Sequence, residues 1–173
     1  MRYTIFILLS FLLISFSCKK KENQKNTPVQ KTGMNTVVKH KNYTVLDKYS
    51  NQEITNWKEY FTTDDFLQQL TSTTPTEALN NALELKKITK QLKDSLNIKT
   101  LKNPAFKARV NVFENEVLRL ADMTYIPSIS SKEVNIQVKK VLSLFGSINH
   151  KINTVYTKQR FDKEINLDSI FNQ

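Results

Sequence analysis

The sequence predicts an all-α fold, an up-down-up-down antiparallel four-helix bundle that follows a long polar segment. Its 173 residues include only two glycines and four prolines, and the tight turns of β-sandwiches and barrels depend on such residues. Beyond about residue 50, apolar side chains recur at intervals of three and four, which is the period of one helix face. The loops between these stretches are short, so consecutive helices are expected to be antiparallel neighbours.

The first helix is expected to begin at Ser50-Asn51-Gln52-Glu53. This is the pattern of a capping box, in which the serine and the glutamate each accept a hydrogen bond from the other's backbone N–H. We expect a break or kink at Thr62-Thr63-Asp64, with Asp64 capping a continuation through Leu70. The apolar residues at helical spacing before that break are Ile54, Trp57 and Phe61.

The second helix has the strongest start signal in the chain, Thr74-Pro75-Thr76-Glu77. It combines a threonine cap, a proline at the first helical position and a glutamate at the third. The helix is predicted to run to about Leu96. Its apolar face comprises Ala78, Ala82, Leu85, Ile88, Leu92 and Leu96.

The third helix is predicted to open at Asn103-Pro104 and to end near Tyr125, because Pro127 disfavours helical backbone at Ile126. Its apolar residues are Phe106, Val110, Phe113, Val117 and Leu120.

The fourth and longest helix is predicted to start at Ser130 or Ser131. Its apolar positions alternate in steps of four and three, a heptad pattern typical of long antiparallel or supercoiled helices. Antiparallel pairing with the third helix would place Phe113 opposite Val141 or Leu142. The heptad residues are Val134, Val138, Val141, Phe145, Ile148, Ile152 and Val155, after which a turned or frayed end is expected.

Gly146 lies beside this apolar stripe. Glycine costs about 1 kcal/mol of helix propensity relative to alanine. A glycine inside a helix can instead admit the backbone of a neighbouring segment, so we expect a close approach here.

The first residues carry a different pattern. Arg2 and the α-amino group supply positive charge, and the chain from Tyr3 to Phe16 is almost wholly apolar. That length suits the apolar core of a secretory signal, and it is shorter than the roughly 20 residues that a membrane-spanning helix needs. The run closes at Ser17-Cys18, and three lysines follow immediately.

These residues resemble the signal peptides of bacterial lipoproteins. In that family a small residue, here Ser17, precedes an acylated cysteine, here Cys18, and the signal is cut between them. Ser15 departs from the strict pattern, which has leucine there, and the match is closer to the looser lipobox of Bacteroidota. The resemblance implies a palmitate-type lipid on Cys18 and attachment to a membrane of the cell envelope. The folded part resembles uncharacterised helical lipoproteins of flavobacteria.

The predicted organisation is a signal peptide over 1–17, a lipidated, basic, flexible tether over 18–48 and a helical bundle over 49–168. The tether is polar to His40, with a short extended piece expected at Val37-Val38 and Tyr43-Thr44-Val45-Leu46. Acidic residues just after the lipidated cysteine would resemble the surface-export signals of Bacteroidota lipoproteins. Here lysines follow Cys18 instead, so we expect the outer membrane, facing the periplasm, rather than the cell surface.

The net charge of +10 is concentrated in the tether, where residues 18–45 carry seven lysines and one acid. Two interpretations remain open: a solvated tether, or attraction to anionic lipids at about 1 kcal/mol per lysine near the surface. Nucleic-acid binding is not expected, because no helix carries a basic stripe.

No catalytic or metal site is predicted. His40 lies in the tether, and His150 and Met123 are predicted to lie roughly 27 Å apart along paired helices, too far apart to share a haem or a metal. Two pairs of carboxylates are candidates for acid–base chemistry. Asp64 and Asp65 are expected to act as helix caps or dipole partners, and Glu114 and Glu116 point to different sides of a helix. No cofactor is expected.

The sequence therefore predicts a non-enzymatic, lipid-anchored envelope protein whose helical domain binds another envelope component. The alternative is a carrier of a small apolar ligand in the bundle interior. An exposed apolar patch that includes Ile136 and Leu144 would favour a protein partner. The aromatic residues expected either in the core or at a partner or ligand surface are Trp57, Tyr60, Phe61 and Tyr156.

Overall fold

The computed structural model describes residues 32–165. That part of the chain is mainly α-helical, as predicted, and it also contains one two-stranded antiparallel sheet. The sheet pairs β1 (Val38–Lys39) with β2 (Ser72–Thr73). The helices are α1 (Lys48–Glu53), α2 (Lys58–Leu70), α3 (Pro75–Asn80), α4 (Ala82–Asp94), α5 (Pro104–Asp122) and α6 (Ser131–Glu164), with a 3₁₀ turn at Met123–Tyr125.

Three of the predicted helix starts are confirmed by their capping bonds. The Thr74 side chain accepts from the backbone N–H of Glu77, and the glutamate carboxylate accepts in return from the backbone of Thr74. The Asn103 side chain accepts from the backbone N–H of Phe106 at the start of α5. Ser130, with Glu133, forms a second reciprocal capping box before α6.

The predicted start and break of the first helix are wrong. Asp47, not Ser50, caps α1, and the Ser50 side chain is buried inside that helix. The chain leaves helical geometry between α1 and α2, at residues 54–57, and α2 continues unbroken through Thr62 and Thr63. Their hydroxyls donate to the carbonyls of Lys58 and Glu59 one turn earlier, which keeps both threonines within the helix.

The predicted second helix is divided. Asn81 separates α3 from α4, and α4 ends at Asp94, two residues before Leu96. The apolar face nevertheless continues across the division, because Ala78, Ala82 and Leu85 are all buried. The period of the apolar pattern therefore identified the buried face without revealing the interruption.

The helices α5 and α6 pack against each other in opposite directions. The Gln137 side chain donates to the backbone carbonyl of Glu116, with its Nε2 2.7 Å from that oxygen. The Phe113 and Phe145 ring centroids lie 5.5 Å apart, so the aromatic partner of Phe113 lies about one turn beyond the predicted Val141 or Leu142. The heptad residues of α6 are fully buried from Val134 to Ile152. The helix continues past Val155 to Glu164, so Phe161 is still helical, and Ile165 leaves helical geometry. The remainder of the turned or frayed end expected here lies outside the described residues.

The boundary of the predicted tether, residues 18–48, also requires correction. Met34 and Tyr43 are buried, β1 is paired, and the backbone N–H of His40 donates to the carbonyl of Thr71 at 2.8 Å. Residues from about 34 onward thus belong to the folded unit, because backbone pairing and two apolar anchors hold a segment whose composition is polar. The predicted signal over 1–17, the first part of the tether and the end of the predicted bundle after residue 165 lie outside the described residues.

Candidate binding surface

The aromatic residues predicted at a surface lie mostly in the core. Trp57, Tyr60 and Tyr156 are at most 3% exposed, and Phe61 is half-buried. The Trp57 indole donates to the Ser95 hydroxyl at 2.9 Å, so its polar edge has a partner. Trp57, Tyr60 and Tyr156 are therefore packing residues. An open groove of about 270 Å³ includes Trp57 in its lining.

A chain of hydrogen bonds connects the segment before α1 to α2 and α6. The Tyr43 hydroxyl donates to Asp64 Oδ1 at 2.7 Å, and the Tyr60 hydroxyl donates to Asn149 Oδ1 at 3.0 Å. The Asn149 amide then donates to the carbonyl of Thr44 at 2.9 Å. Asn149 is completely buried. Its amide cannot bond to water, so these two bonds supply the partners that it needs.

Burial controls the protonation of this network. It raises the pKa of the Tyr43 phenol, and the neighbouring Asp64 raises that pKa further. Burial raises the pKa of the Tyr60 phenol as well. The pKa of Asp64 is also raised, chiefly by burial, although the hydrogen bond from Tyr43 opposes that shift. The phenols therefore stay protonated at neutral pH and act as hydrogen-bond donors, which supports a structural role.

We call residues 43–47 the strap, since they cross α6 and are held to it by two asparagines one turn apart. Besides the bond from Asn149, the Asn153 amide donates to the carbonyl of Val45 at 2.9 Å, and the backbone N–H of Asp47 donates to Asn153 Oδ1 at 3.0 Å. The close approach expected at Gly146 is confirmed here. A Cβ at that position would lie 3.0 Å from Tyr43 Cβ and 3.1 Å from the backbone nitrogen of Thr44.

An open groove of about 420 Å³ lies between residues 41–44 and α6. We call it the basic groove, because in the described chain every charged residue that lines it is basic. Lys139 also lies close enough to His40 that its charge, together with the larger effect of burial, lowers the pKa of that histidine. The residues lining the groove are Lys41, Asn42, Tyr43, Thr44, Lys139, Ser143, Gly146, Ser147 and His150.

A smaller cleft of about 190 Å³ lies between α5 and α6 on another part of the surface. It includes the predicted patch residue Leu144, which is half-buried, together with the exposed Val112. Ile136 is 56% exposed and is not part of the cleft lining. Val112 on α5 and Ile136 on α6 are thus exposed apolar side chains.

The other candidate residues do not come together into a site. Glu114 pairs with Lys93 at 2.6 Å, and Glu116 pairs with Lys140 at 2.8 Å, so both carboxylates link helices. His150 is exposed, as predicted. In residues 32–165 no cluster of three or more histidine, cysteine or acidic side chains is placed to hold a metal ion. Ser17 and Cys18, the predicted cleavage and lipid sites, lie outside the described residues.

The sequence predicted an extended piece at Tyr43-Thr44-Val45-Leu46. It did not predict the contacts that make this piece the strap, or the basic groove beside it. Asn149 and Asn153 lie off the apolar stripe, and their spacing of four was the available signal, because it places two amides on one helix face. Their partners are backbone groups more than 100 residues away. Spacing along the chain alone does not specify such a partner.

Between residues 32 and 165, none of the helices combines the length and the apolar character that crossing a bilayer requires. Comparison of the chain with protein-family models, with curated proteins and with solved structures finds no match. The geometry of the described residues, together with the resemblance of the first eighteen, is therefore the basis for a functional proposal.

Proposed function

We propose that this protein is a lipid-anchored component of the bacterial cell envelope whose helical domain binds another envelope component and has no catalytic role. Acylation of Cys18 would hold the domain at a membrane, at the periplasmic face of the outer membrane. The polar residues between Cys18 and the folded unit would serve as the tether. Binding would use the outer surface of the domain.

We also infer that α2, α4, α5 and α6 form an up-down-up-down antiparallel four-helix bundle. The hydrogen bond from Trp57 to Ser95 supports this, because it joins the start of α2 to the end of α4. The bond from Gln137 to Glu116 supports the opposite directions of α5 and α6. Such a bundle presents long helix faces to the outside.

The filled interior is the observation that most favours a surface-binding role. Phe106, Phe113 and Phe145 are completely buried, and the Phe145 ring is within 5.5 Å of the centroids of both Tyr60 and Phe113. Aromatic side chains thus occupy the volume that a carried ligand would need. The exposed apolar side chains of Val112 and Ile136 are available instead for contact with a partner.

A carrier of a small apolar ligand is the second candidate, and the groove beside Trp57 is the feature that favours it. That groove is open, and its lining includes Glu53, Glu59 and Asn97. These polar groups suit an apolar guest poorly, because burying them without partners is costly. Native mass spectrometry of the membrane-extracted protein tests this candidate, since a carrier would retain a bound small molecule of defined mass.

The anchor is tested by the intact mass of the protein extracted from membranes, with Cys18→Ser as the matched variant. We expect a wild-type species that begins at Cys18 and carries the added mass of two or three acyl chains, and no such species for Cys18→Ser. An unmodified full-length mass in the wild type would contradict the proposal.

The binding role is tested by photo-crosslinking in intact cells from a reactive amino acid at Val112 or Ile136. The same group at Lys158, an exposed position on α6, is the control. One crosslinked envelope component that recurs from the apolar positions and is absent from the control would support surface binding. Equal, diffuse crosslinking from all three positions would contradict it.

A further inference from the structure

We propose that the basic groove between the strap and α6 is a binding site for a phosphate group carried by a larger organic molecule. The proposal concerns the folded unit and does not depend on a lipid at Cys18. It goes beyond the envelope-binding role because it names a second surface and the chemistry that this surface recognises.

The charges of the groove favour an anion. Lys41 approaches from the segment before the strap, while Lys139 and His150 approach from α6. In the described range the lysines that form ion pairs are Lys90, Lys93 and Lys140. Lys139 is not among them, although it is adjacent to Lys140, whose partner Glu116 lies on α5. The groove therefore offers ammonium groups from both walls without a carboxylate of the described chain to neutralise them.

The two walls are held at a fixed separation. Gly146 forms part of the groove floor and allows Tyr43 and Thr44 to lie directly on α6. The buried Asn149 bonds to the Thr44 carbonyl, so the backbone beside Lys41 and Asn42 is tied to the helix that carries Lys139. A site whose walls are fixed in advance loses less conformational entropy when a ligand binds.

The number of donors favours phosphate over carboxylate. Lysine attracts either anion as a point charge, and the charged residues lining this groove are two lysines and a histidine, so the choice between the anions depends on how many oxygens the surrounding donors can reach. Ser143 and Ser147 stand four and eight residues after Lys139, on the same face of α6, and their hydroxyls can donate to further oxygens. A tetrahedral phosphate can accept from several such directions at once.

The size of the groove indicates that phosphate would not be the whole ligand. A volume of about 420 Å³ corresponds to roughly a dozen water molecules at ~30 Å³ each, and a lone phosphate ion fills only a small part of it. A phosphodiester or phosphomonoester with an attached glycerol or sugar would use the rest. Such a group can come from a lipid headgroup or from a soluble phosphate ester.

The two histidines of the chain provide the measurement. His150 lines the groove, so an anion that binds there should change the chemical shifts of its imidazole protons. NMR of the histidine ring protons follows this in the mature protein in nonionic detergent, with His40→Gln to assign the signals. The probes are inorganic phosphate and glycerophosphoglycerol, the headgroup of phosphatidylglycerol without its acyl chains, each added at constant ionic strength.

We expect a saturable shift of the His150 ring-proton signals as either probe is added. Tighter binding of glycerophosphoglycerol than of inorganic phosphate would support an organic phosphate and indicate a lipid headgroup as its source. Equal or tighter binding of inorganic phosphate would overturn the proposal that the phosphate is part of a larger molecule. The double variant Lys41→Gln/Lys139→Gln should weaken binding at least about tenfold, because it removes a charge from each wall. The matched control Lys158→Gln, which removes a charge elsewhere on α6, should change binding by less than about twofold.

Both substituted lysines are exposed, so the double variant should keep the thermal unfolding midpoint of the wild type, which is the check on folding. A shift of His150 that does not saturate, or that weakens equally in the double variant and in Lys158→Gln, would overturn the proposal. It would mean that the basic groove attracts anions only through general surface charge.

Discussion

The interior of the domain and the strap are held by opposite kinds of contact. The core between α5 and α6 is apolar, with Phe113, Val138 and Phe145 completely excluded from water, and the polar contacts of Glu116 with Gln137 and Lys140 lie at its rim. The strap touches the same long helix through hydrogen bonds from Asn149 and Asn153 and through the absence of a side chain at Gly146. Tyr43 connects the two regions, because its ring packs edge-on against Phe145 while its hydroxyl bonds to Asp64.

Because the contacts differ, the interior should contribute most to the stability of the fold, and the polar contacts should determine mainly the position of the strap. Apolar burial stabilises in proportion to area and tolerates changes of shape that conserve volume. A polar contact contributes less on balance, but it depends on one geometry and is costly when one partner is lost. We therefore expect substitutions in the interior to change the free energy of unfolding most, and substitutions at the strap to change mainly where residues 43–47 lie.

The largest effect is expected for Phe145→Ala. Phe145 contacts the rings of Tyr43, Tyr60 and Phe113, and a fully buried phenylalanine replaced by alanine costs about 3–5 kcal/mol. Chemical denaturation of the mature protein measures this loss. Phe161→Ala is the matched control, since Phe161 lies on the same helix and is 56% exposed, and it should change stability by less than about 0.5 kcal/mol. Similar losses for both variants would contradict the distinction between interior and surface.

An intermediate effect is expected for Asn149→Ala. The substitution leaves the buried Tyr60 hydroxyl without its acceptor, at a cost of about 1–3 kcal/mol, and it removes the donor to the carbonyl of Thr44, an exposed residue. We expect a loss of about 2–3 kcal/mol together with faster amide exchange across the strap. Asn153→Ala, whose bonds are exposed, should release the strap with a smaller loss of stability. If Asn149→Ala lowered the free energy of unfolding no more than Asn153→Ala does, the buried bond from Tyr60 to Asn149 would not contribute measurably to stability.

Gly146→Ala is expected to affect the two regions in opposite directions. Alanine gains about 1 kcal/mol of helix propensity in α6, but its Cβ would crowd Tyr43 and the backbone of Thr44. We expect a net change in global stability below about 1 kcal/mol and a marked loss of amide protection at Asp47, whose N–H bonds to Asn153. Ser143→Ala is the control, because Ser143 is exposed on the same helix. Unchanged protection in Gly146→Ala would show that the strap does not need the glycine.

The parts of this fold that the sequence predicted are those set by local chemistry. The caps at Thr74, Asn103 and Ser130 involve residues three apart in the chain, and the buried stripe of α6 follows from its period. The break between α1 and α2 was misplaced, because Thr62 and Thr63 act as ordinary helix residues once their hydroxyls bond within the helix.

The candidate site was less predictable than the fold. Gly146 indicated that some backbone approaches α6, but which segment approaches depends on contacts between residues 43–47 and a helix about 100 positions away. The polar composition of the predicted tether also concealed the two residues that anchor it, Met34 and Tyr43. The basic groove exists only because the strap lies where it does, so its lysines could not be grouped from their positions in the chain.

The smallest expected effect is a difference in pH dependence between one carboxylate of each region. At the rim of the interior, hydrogen bonds from Lys140 and Gln137 lower the pKa of Glu116. On α2, where Asp64 accepts the hydrogen bond from Tyr43 of the strap, burial raises the pKa of that aspartate. A carboxylate with a lowered folded-state pKa stabilises the protein above its unfolded pKa, and this stabilisation is lost as pH falls. A carboxylate with a raised folded-state pKa has the opposite sign, so its contribution becomes less favourable as pH rises above the unfolded value.

Glu116→Gln should therefore lower stability near neutral pH by less than about 1 kcal/mol and flatten the loss of stability below about pH 4.3, the ordinary glutamate value. Asp64→Asn keeps an acceptor for the Tyr43 hydroxyl and removes a buried charge. It should leave stability at neutral pH equal or higher, and it should remove a decline that begins above about pH 3.9, the ordinary aspartate value. Denaturation from pH 3 to pH 7 measures both, with Glu84→Gln, an exposed carboxylate of α4, as the control. Stability curves that shift in the same direction for both variants would mean that Asp64 is buried no more deeply than Glu116. The contrast between the two regions would then rest on the hydrogen bonds of Asn149 and Asn153 alone.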